Sequence, residues 1–404
     1  MPGGYSERMP EFPFERLRRW PDVEATNLFA VDASDRLILD EAAAGLATAG
    51  PGEVVVLEDH YGALTLAAAA QLGGRPDVRV YQDALSGEHA LDHNAADLAG
   101  TVSELAGLTG AYRHVPLGAD LFAGARLVLL QLPRSLAALD ELAGAIARFA
   151  AGDVTVVAGG RIKHMSLAMN EVLRRHFGEL AVTPARQKSR VLIATQPKAP
   201  EQSGPSDRAA TDTAGPTWPR TVEHADLGLT VCAHGAAFAG TTIDIGTRYL
   251  LEFLDRMKPD ATTAIDLGCG TGVLAAALAL RRPGLQLLAT DQSAAAVASA
   301  AATMAANGVA DRVQVLRDDA LSVQPDASAE LILLNPPFHI GSSVHAGIAL
   351  KLFEDAARVL RPGGELWAVW NTHLGYRPAL TRIVGPTHQV GRNTKFTVTV
   401  STRR

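Results

Sequence analysis

The chain has 404 residues, of which 47% are hydrophobic and 20% charged, which indicates a globular protein long enough for two domains of ordinary size. A net charge of −6 at pH 7 excludes a generally basic nucleic-acid binder, so any polyanion must bind a local positive patch. Two cysteines exclude a disulfide framework, and neither has a Cys or His neighbour at ligand spacing, so no metal site is expected. Because the sequence shows neither a signal peptide nor an apolar run of about 18 residues, we expect a cytoplasmic protein.

The first half of the chain alternates short aliphatic runs with segments rich in alanine and leucine. VVVLEDHYGALTLAAAA (54–70) predicts a strand, a loop and a helix, and VRVYQDA (78–84) and RLVLLQLPRS (126–135) predict two further strands. This alternation is typical of an α/β domain with a mainly parallel sheet.

The segment 198–220, KAPEQSGPSDRAATDTAGPTWPR, is rich in Pro, Gly, Ser, Thr and Ala and has no apolar periodicity. Such a composition is typical of a linker between domains. We therefore predict a first domain over residues 1–197, a linker over 198–220 and a second domain over 221–404.

The second half repeats the strand-and-helix alternation. Strands are predicted at TTAIDL, LQLLATD, RVQVLRDDA, LILLNPP, ELWAVW and TKFTVTVS, with helices at TGVLAAALALRR, SAAAVASAAATMAANG and GIALKLFEDAARVL. The Pro-Gly-Gly of LRPGGELW predicts a tight connection between the last of these helices and its strand.

The two halves resemble each other in layout. When residues 54–70 are set against 264–280, Gly62 falls on Gly272, but Asp266 is replaced by Val56 and the other two loop glycines by Glu58 and His60. NPPF of the second half is matched by QLPR of the first. The simplest account is a duplicated domain whose first copy has kept the fold and lost the chemistry, and the alternative is chance similarity between two alanine-rich halves.

The loop DLGCGTG (266–272) lies between a predicted strand and a predicted helix. Gly268 and Gly270 allow backbone to pass close to a ligand, and the start of a helix favours polar or anionic groups. The G-x-G-x-G spacing differs from the dinucleotide G-x-G-x-x-G, and Asp266 could meet a positive amino-acid group. A purely structural tight turn is the alternative.

Acidic residues end the next two predicted strands. Asp291 could accept hydrogen bonds from both hydroxyls of a ribose, and Asp319 could accept one from an exocyclic adenine amine. Asp318, beside it, would then be a solvated loop acid. Together with Asp266, these positions describe a nucleoside that carries an amino acid, so we expect S-adenosylmethionine as the cofactor.

The stretch NPPF (335–338) ends a buried strand on two prolines, which cannot donate to a sheet ladder. The amine of a nucleobase is a poor nucleophile, so it must be held by acceptors while its lone pair points at the methyl carbon. The side-chain oxygen of Asn335 and the carbonyl of Pro336 can accept from it, and Pro337 helps to stiffen the loop. Phe338 could stack on the base.

These motifs, in this order, resemble the class I methyltransferases that modify exocyclic nitrogens. The chain is most similar to the bacterial ribosomal RNA guanine-N2 methyltransferases of the large-subunit type, through FAGTTIDIGTRYLL, AANG, NPPFH, LRPGGELWAV and NTKFTVTVSTRR. In the first half NLFAVDASDRLIL, DHYGAL, LPRSLAALD and QKSRVL carry the resemblance.

The resemblance implies two tandem Rossmann-like methyltransferase domains, each with a mainly parallel seven-stranded sheet flanked by helices. Only the second copy would bind S-adenosylmethionine, with Gly246 and Thr247 near its methionine end and Asn335 beside it. The substrate would be a guanine of ribosomal RNA, 23S rather than 16S, or of a ribosomal subunit precursor. The first copy would hold and orient the RNA, and we expect a monomer.

Basic groups offer candidate phosphate contacts in the first half, namely RIKH (161–164) and RQKSR (186–190), although such groups are usually solvated.

Two other functions stay open. The chain could methylate a glutamine amide of a release factor, in which case a helical first domain is expected. It could also be a non-catalytic RNA-binding factor for ribosome assembly, with a vestigial pocket.

Overall fold

The structure is a computed structural model of the full chain, and it describes residues 12–22, 24–73, 77–198, 217–337 and 345–404. The chain forms two compact units, one built mainly from residues 12–198 and the other mainly from 217–404. Most of the predicted linker lies outside the described residues. In the part of the chain that the structure describes, we find no helix long and apolar enough to cross a bilayer.

The first unit is an α/β domain. Its strands are β1 (Val54–Leu57), β2 (Val78–Tyr81), β3 (Tyr112–His114), β4 (Leu127–Gln131), β5 (Thr155–Arg161), β6 (Phe177–Val182) and β7 (Ser189–Pro197). Its helices are α1 (Ala33–Thr48), α2 (Ala63–Gln71), α3 (Leu85–Thr101), α4 (Ala119–Phe122), α5 (Leu136–Phe149) and α6 (Leu167–His176). The strands form a seven-stranded sheet in the order β3-β2-β1-β4-β5-β7-β6.

The second unit begins with a two-stranded hairpin and continues as a second α/β domain. Its strands are β8 (Arg220–His224), β9 (Leu229–Ala233), β10 (Thr263–Leu267), β11 (Gln286–Asp291), β12 (Val313–Arg317), β13 (Ala329–Leu334), β14 (Leu360–Asn371), β15 (Thr387–Arg392) and β16 (Phe396–Thr402). Its helices are α7 (Ile245–Leu251), α8 (Val273–Arg281), α9 (Ala294–Ala306), α10 (His345–Val359) and α11 (Arg377–Ile383).

The second large sheet has the order β12-β11-β10-β13-β14-β16-β15, which is the order of the first sheet strand for strand. In each sheet five neighbouring strands run parallel and the remaining pairings are antiparallel. The predicted fold class, two mainly parallel seven-stranded sheets flanked by helices, is therefore confirmed.

Both faces of the second sheet are covered, which explains why its central strands read as continuous aliphatic runs rather than alternating ones. Leu331 and Leu333 of β13 pack into one apolar layer with α7, α8 and α9. Ile332 and Leu334 pack into the opposite layer with α10 and α11. Successive side chains of β10 alternate in the same way, because Ile265 and Leu267 belong to the α10 layer.

The Pro-Gly-Gly connection predicted before ELWAVW lies within a single long strand. In β14, Leu360 pairs with Ala329, and the pairing resumes at Glu365 with Leu331. The intervening residues bulge out of the ladder, with Gly363 at φ 78°. The predicted tight connection between the helix and the strand was therefore wrong: β14 begins directly after α10, and the Pro-Gly-Gly forms a bulge inside it.

Candidate active site

The glycine loop connects β10 to α8 and has left-handed backbone at Gly268 (φ 69°) and Gly270 (φ 54°). A Cβ atom added to either residue would meet no atom within 4 Å, so both glycines border open space. Gly272 has a different function, because a Cβ there would lie 2.6 Å from Met304 and 3.0 Å from Ala300. The first two glycines therefore face open space at the carboxyl end of β10, which we call the cleft, and the third allows α8 and α9 to pack closely.

Asp266 lies in β10 with only 1% of its surface exposed. Its Oδ2 accepts a hydrogen bond of 3.0 Å from the backbone N–H of Ala275 in α8, whereas its Oδ1 is buried without a partner among the described residues. Burial, with a further contribution from the negative charge of Asp291, raises the pKa of Asp266 to about 7. A buried acceptor of this kind is suited to a cationic or N–H group of a ligand.

Asp291 ends β11 and fixes the glycine loop. Its Oδ2 accepts from the backbone N–H of Gly270 at 3.0 Å, and its Oδ1 accepts from the N–H of Ser293 at 3.0 Å. Desolvation raises its pKa above the usual value. Each carboxylate oxygen can accept a second hydrogen bond, so the group can still bind a ligand hydroxyl.

The two acids that follow β12 differ in environment. Asp318 is 2% exposed and accepts a 2.6 Å hydrogen bond from the Ser322 hydroxyl, so the expectation that it is a solvated loop acid was wrong. Asp319 forms a 2.5 Å ion pair with Lys351 of α10. Its predicted contact with an adenine amine stays a prediction, and Lys351 would compete for the same carboxylate.

Asn335 directly follows β13, and its side-chain amide is hydrogen-bonded on one side only. Its Nδ2 group donates to Asp244 Oδ2 at 3.1 Å and to Thr247 Oγ1 at 2.9 Å. Its Oδ1 is buried without a partner in the described part of the chain. This placement leaves an unused acceptor, as the predicted function of Asn335 requires. Pro336 is buried and Pro337 exposed, whereas Phe338 lies outside the described residues.

Asp244 was missed by the sequence reasoning. It is the N-cap of α7, where its carboxylate accepts from the backbone N–H groups of Gly246 at 2.9 Å and Thr247 at 3.2 Å. The signal for the cap, an aspartate before the apolar run of α7, was present in the sequence. A Cβ on Gly246 would lie 3.0 Å from Asp244 Oδ2 and 3.5 Å from Asn335 Oδ1, so the absence of a side chain permits this close approach.

The carboxyl ends of β10, β11 and β13 are neighbours in the sheet, since β10 pairs in parallel with both other strands. Two groups of predicted site residues meet there: Gly270 with Asp291, and Thr247 with Asn335. The crevice at the carboxyl ends of parallel strands is the usual ligand site of such sheets. The unpaired oxygen of Asp266 and the open space at the glycines fit S-adenosylmethionine, which carries an ammonium group and a nucleoside.

The corresponding loop of the first copy, residues 58–62, lacks the first two glycines. Glu58 (φ 58°) and His60 (φ 59°) have the left-handed backbone of Gly268 and Gly270 but add side chains there. Asp59, between them, accepts from the N–H groups of Leu64 and Thr65 at 2.7 Å, so this acid caps α2. The loop thus keeps the backbone conformation of the second copy and has side chains where that copy has glycines.

Two different family models match the two halves of the chain. Residues 9–199 match the family model described as RLMG N-terminal domain, and residues 228–400 match the model described as methyltransferase small domain. Among solved structures, the 16S rRNA N2 methyltransferase RsmC of T. thermophilus, in complex with AdoMet and guanosine, has the same fold. Its TM-score is 0.69 at 22% identity, with 92% of each chain covered.

Curated relatives share more of the sequence. The ribosomal RNA large subunit methyltransferase G of Streptomyces avermitilis is 34% identical over 402 residues, which cover 98% of this chain and 96% of that protein. The protein of the same name from Ectopseudomonas mendocina is 36% identical over 397 residues, covering 96% and 99%. The resemblance stated from the motifs is thus confirmed over nearly the full length, and the chain belongs to the family of ribosomal RNA large subunit methyltransferase G.

Proposed function

We propose that the chain transfers a methyl group from S-adenosylmethionine to the exocyclic N2 of a guanine in 23S ribosomal RNA. The observation that carries the proposal is the one-sided hydrogen bonding of Asn335, whose amide oxygen is left without a partner among the described residues. The curated relatives, which are named as ribosomal RNA large subunit methyltransferases, support this choice of substrate.

We assign cofactor binding to the residues at the carboxyl ends of β10 and β11. Gly268 and Gly270 would border the nucleoside, Asp291 would accept from its hydroxyls, and Asp266 would accept from the ammonium group. Gly246 and Thr247 would lie near the methionine end, and Asp319 near the adenine. S-adenosylmethionine supplies an electrophilic methyl group bound to sulfonium.

We assign binding of the guanine to the loop that follows β13. The amide oxygen of Asn335 and the carbonyl oxygen of Pro336 would each accept a hydrogen bond from the guanine amine. The lone pair of the amine would then face the methyl carbon. The fixed ring of Pro337 limits movement of these acceptors, and Phe338 would stack on the base. No general base is needed for the transfer, since the product ammonium loses its proton readily.

The guanine must leave its stack to reach this loop, which costs on the order of a few kcal/mol and favours loops over regular duplex. We assign RNA orientation to residues 1–197 and catalysis to 221–404, joined by the linker 198–220. In the first unit Lys163 and His164 are exposed. Desolvation and the nearby positive charges of Arg134, Lys163 and Arg161 lower the pKa of His164. This cluster of basic side chains, rather than His164 itself, supports a phosphate contact there.

One arginine of each basic group lies beside an acid. Arg186 of the second group forms an ion pair with Asp40, and Arg161 of the first group lies 3.8 Å from Asp32. Exposed pairs of this kind are weak, so an RNA phosphate could displace them.

Two observations weigh against the rival functions. The release-factor methyltransferase would have a helical first domain, whereas the first unit is built around a seven-stranded sheet. A non-catalytic assembly factor would not need the open space at Gly268 and Gly270 or the unused acceptor on Asn335.

The function is tested by mapping modified guanines in ribosomal RNA from a strain with and without the gene, using mass spectrometry. We expect one N2-methylguanine of 23S RNA to disappear in the strain without the gene and to return when purified protein and S-adenosylmethionine are added. An unchanged map, with no methyl incorporated in vitro, would contradict the proposal.

A further inference from the structure

We infer that Asp244 is a positioning residue for methyl transfer, because it sets which end of the Asn335 amide faces the substrate. The inference rests on the proposed function and adds a residue to it. The two ends of a carboxamide have nearly the same shape but opposite hydrogen-bonding character. Only the oxygen can accept from a guanine amine, so a reversed amide would present an N–H group and repel it.

The partners of the Asn335 amide differ in how well they select its orientation. The Thr247 hydroxyl, 2.9 Å from Nδ2, can accept or donate and would tolerate either end of the amide. The carboxylate of Asp244, 3.1 Å from the same nitrogen, has only acceptors when ionised. A reversed amide would place the Asn335 oxygen against this carboxylate, so Asp244 supplies the discrimination.

Asp244 is itself fixed in position. The same oxygen, Oδ2, accepts from the backbone N–H groups of Gly246 and Thr247 at the start of α7. Rotation of the carboxylate away from Asn335 would therefore leave the first turn of the helix without its cap. The orientation of the catalytic amide is thus tied to the helix start, 91 residues earlier in the chain.

The first copy provides an internal comparison. Asp32 is the N-cap of α1, as Asp244 is of α7, and Gln131 ends β4 at the position of Asn335. There the amide nitrogen donates to the carboxylate of Asp35 and to Ser34 Oγ. Ser34 has a single hydroxyl hydrogen, which it donates to Asp32 Oδ1 at 2.5 Å.

The two copies place a carboxylate against the amide nitrogen from different positions. In the first copy it belongs to Asp35, three residues after the cap. In the second copy that position is Thr247, and the cap Asp244 itself accepts from the amide nitrogen. A carboxylate faces the amide nitrogen in both copies, which agrees with its function in setting the orientation of the amide.

The test uses Asp244→Ser in the full-length protein, since serine caps helices as well as aspartate but has a shorter, uncharged side chain whose hydroxyl can donate or accept. Asp226→Ser is the matched control: Asp226 forms an ion pair with Arg248 of α7 and makes no hydrogen bond to Asn335. We expect Asp244→Ser to lower kcat on ribosomal RNA roughly tenfold or more, because the Asn335 amide loses both its anchor and its fixed orientation. The S-adenosylmethionine Kd and the unfolding temperature should stay close to those of the control.

A double-mutant cycle separates positioning from general damage. If Asp244 acts through Asn335, Asp244→Ser combined with Asn335→Ala will be no slower than Asn335→Ala alone. Losses that multiply in the double variant, a normal kcat in Asp244→Ser, or a loss of cofactor binding would each overturn the inference while leaving the proposed function intact. A wild-type protein that methylates no ribosomal RNA would instead overturn the proposed function, and the inference with it.

Discussion

The carboxylate of Asp291 accepts a hydrogen bond of 3.0 Å from the backbone N–H of Gly270, so the end of β11 fixes the loop that follows β10. The same carboxylate is the one proposed to bind the hydroxyls of the cofactor. Loop shape and cofactor affinity are therefore coupled through a single side chain.

Replacing Asp291 by alanine removes both functions of this carboxylate. We expect the Kd for S-adenosylmethionine, measured by calorimetry, to rise roughly a hundredfold or more, because hydrogen bonds to charged groups each contribute about 1.5–3 kcal/mol. The exposed Asp311, which ends no strand of the cleft, serves as control, and Asp311→Ala should leave the Kd unchanged. Equal affinities in the two variants would refute the function given to Asp291.

Gly270→Ala separates backbone strain from occupation of the cleft. A Cβ at Gly270 would enter open space and strain a left-handed backbone, and one at Gly308, after α9, would do the same away from the cleft. Both variants should lose stability by on the order of 1 kcal/mol. Only Gly270→Ala should also weaken S-adenosylmethionine binding, by roughly tenfold or more. The account of the cleft fails if both variants bind the cofactor equally well.

Cofactor affinity should depend on the ionisation of Asp266. Because its pKa is raised to about 7, the group becomes neutral as the pH falls below that value and attracts an ammonium group less. We expect the affinity for S-adenosylmethionine to fall by up to roughly tenfold between about pH 7.5 and 5.5. In Asp266→Asn the affinity should be low at both pH values, and a wild-type affinity that does not change with pH would contradict this function.

Ionisation of Asp266 should strengthen cofactor binding but lower the free energy of unfolding. The pKa of Asp266 is higher in the folded protein than the ordinary 3.8, so its stabilising contribution is full below about pH 4 and is lost as the pH rises through about 7. Without cofactor, Asp266→Asn should therefore gain stability relative to wild type on going from pH 5 to pH 8, by on the order of a few kcal/mol at most. Denaturant unfolding at the two pH values measures this, and a constant difference would argue against a buried ionised carboxylate.

The sequence was sufficient to predict the strands that carry the site. The runs at β10, β11 and β13 are buried on both faces and end in loops with distinctive chemistry, so the fold and the positions of Asp266, Asp291 and Asn335 at the strand ends followed from local pattern. The duplication was also predictable, because Gly62 falls on Gly272 in the shared layout, while Glu58 and His60 indicated that the first copy had lost the loop glycines.

The sequence could not show which atoms meet. Asp244 and Asn335 are far apart in the chain, and their contact depends on how α7 packs beside β13. Two adjacent aspartates at 318–319 likewise suggested a solvated loop, but Asp318 is buried. Such outcomes depend on tertiary packing, which a local pattern does not specify.

The most direct test of the central claim is to compare turnover and cofactor binding in Asn335→Ala. The account predicts that calorimetry gives an S-adenosylmethionine Kd within about threefold of wild type, while methyl transfer to 23S RNA falls by roughly a hundredfold or more. A variant that binds the cofactor and still methylates at the wild-type rate would show that the free amide oxygen of Asn335 does not hold the guanine amine.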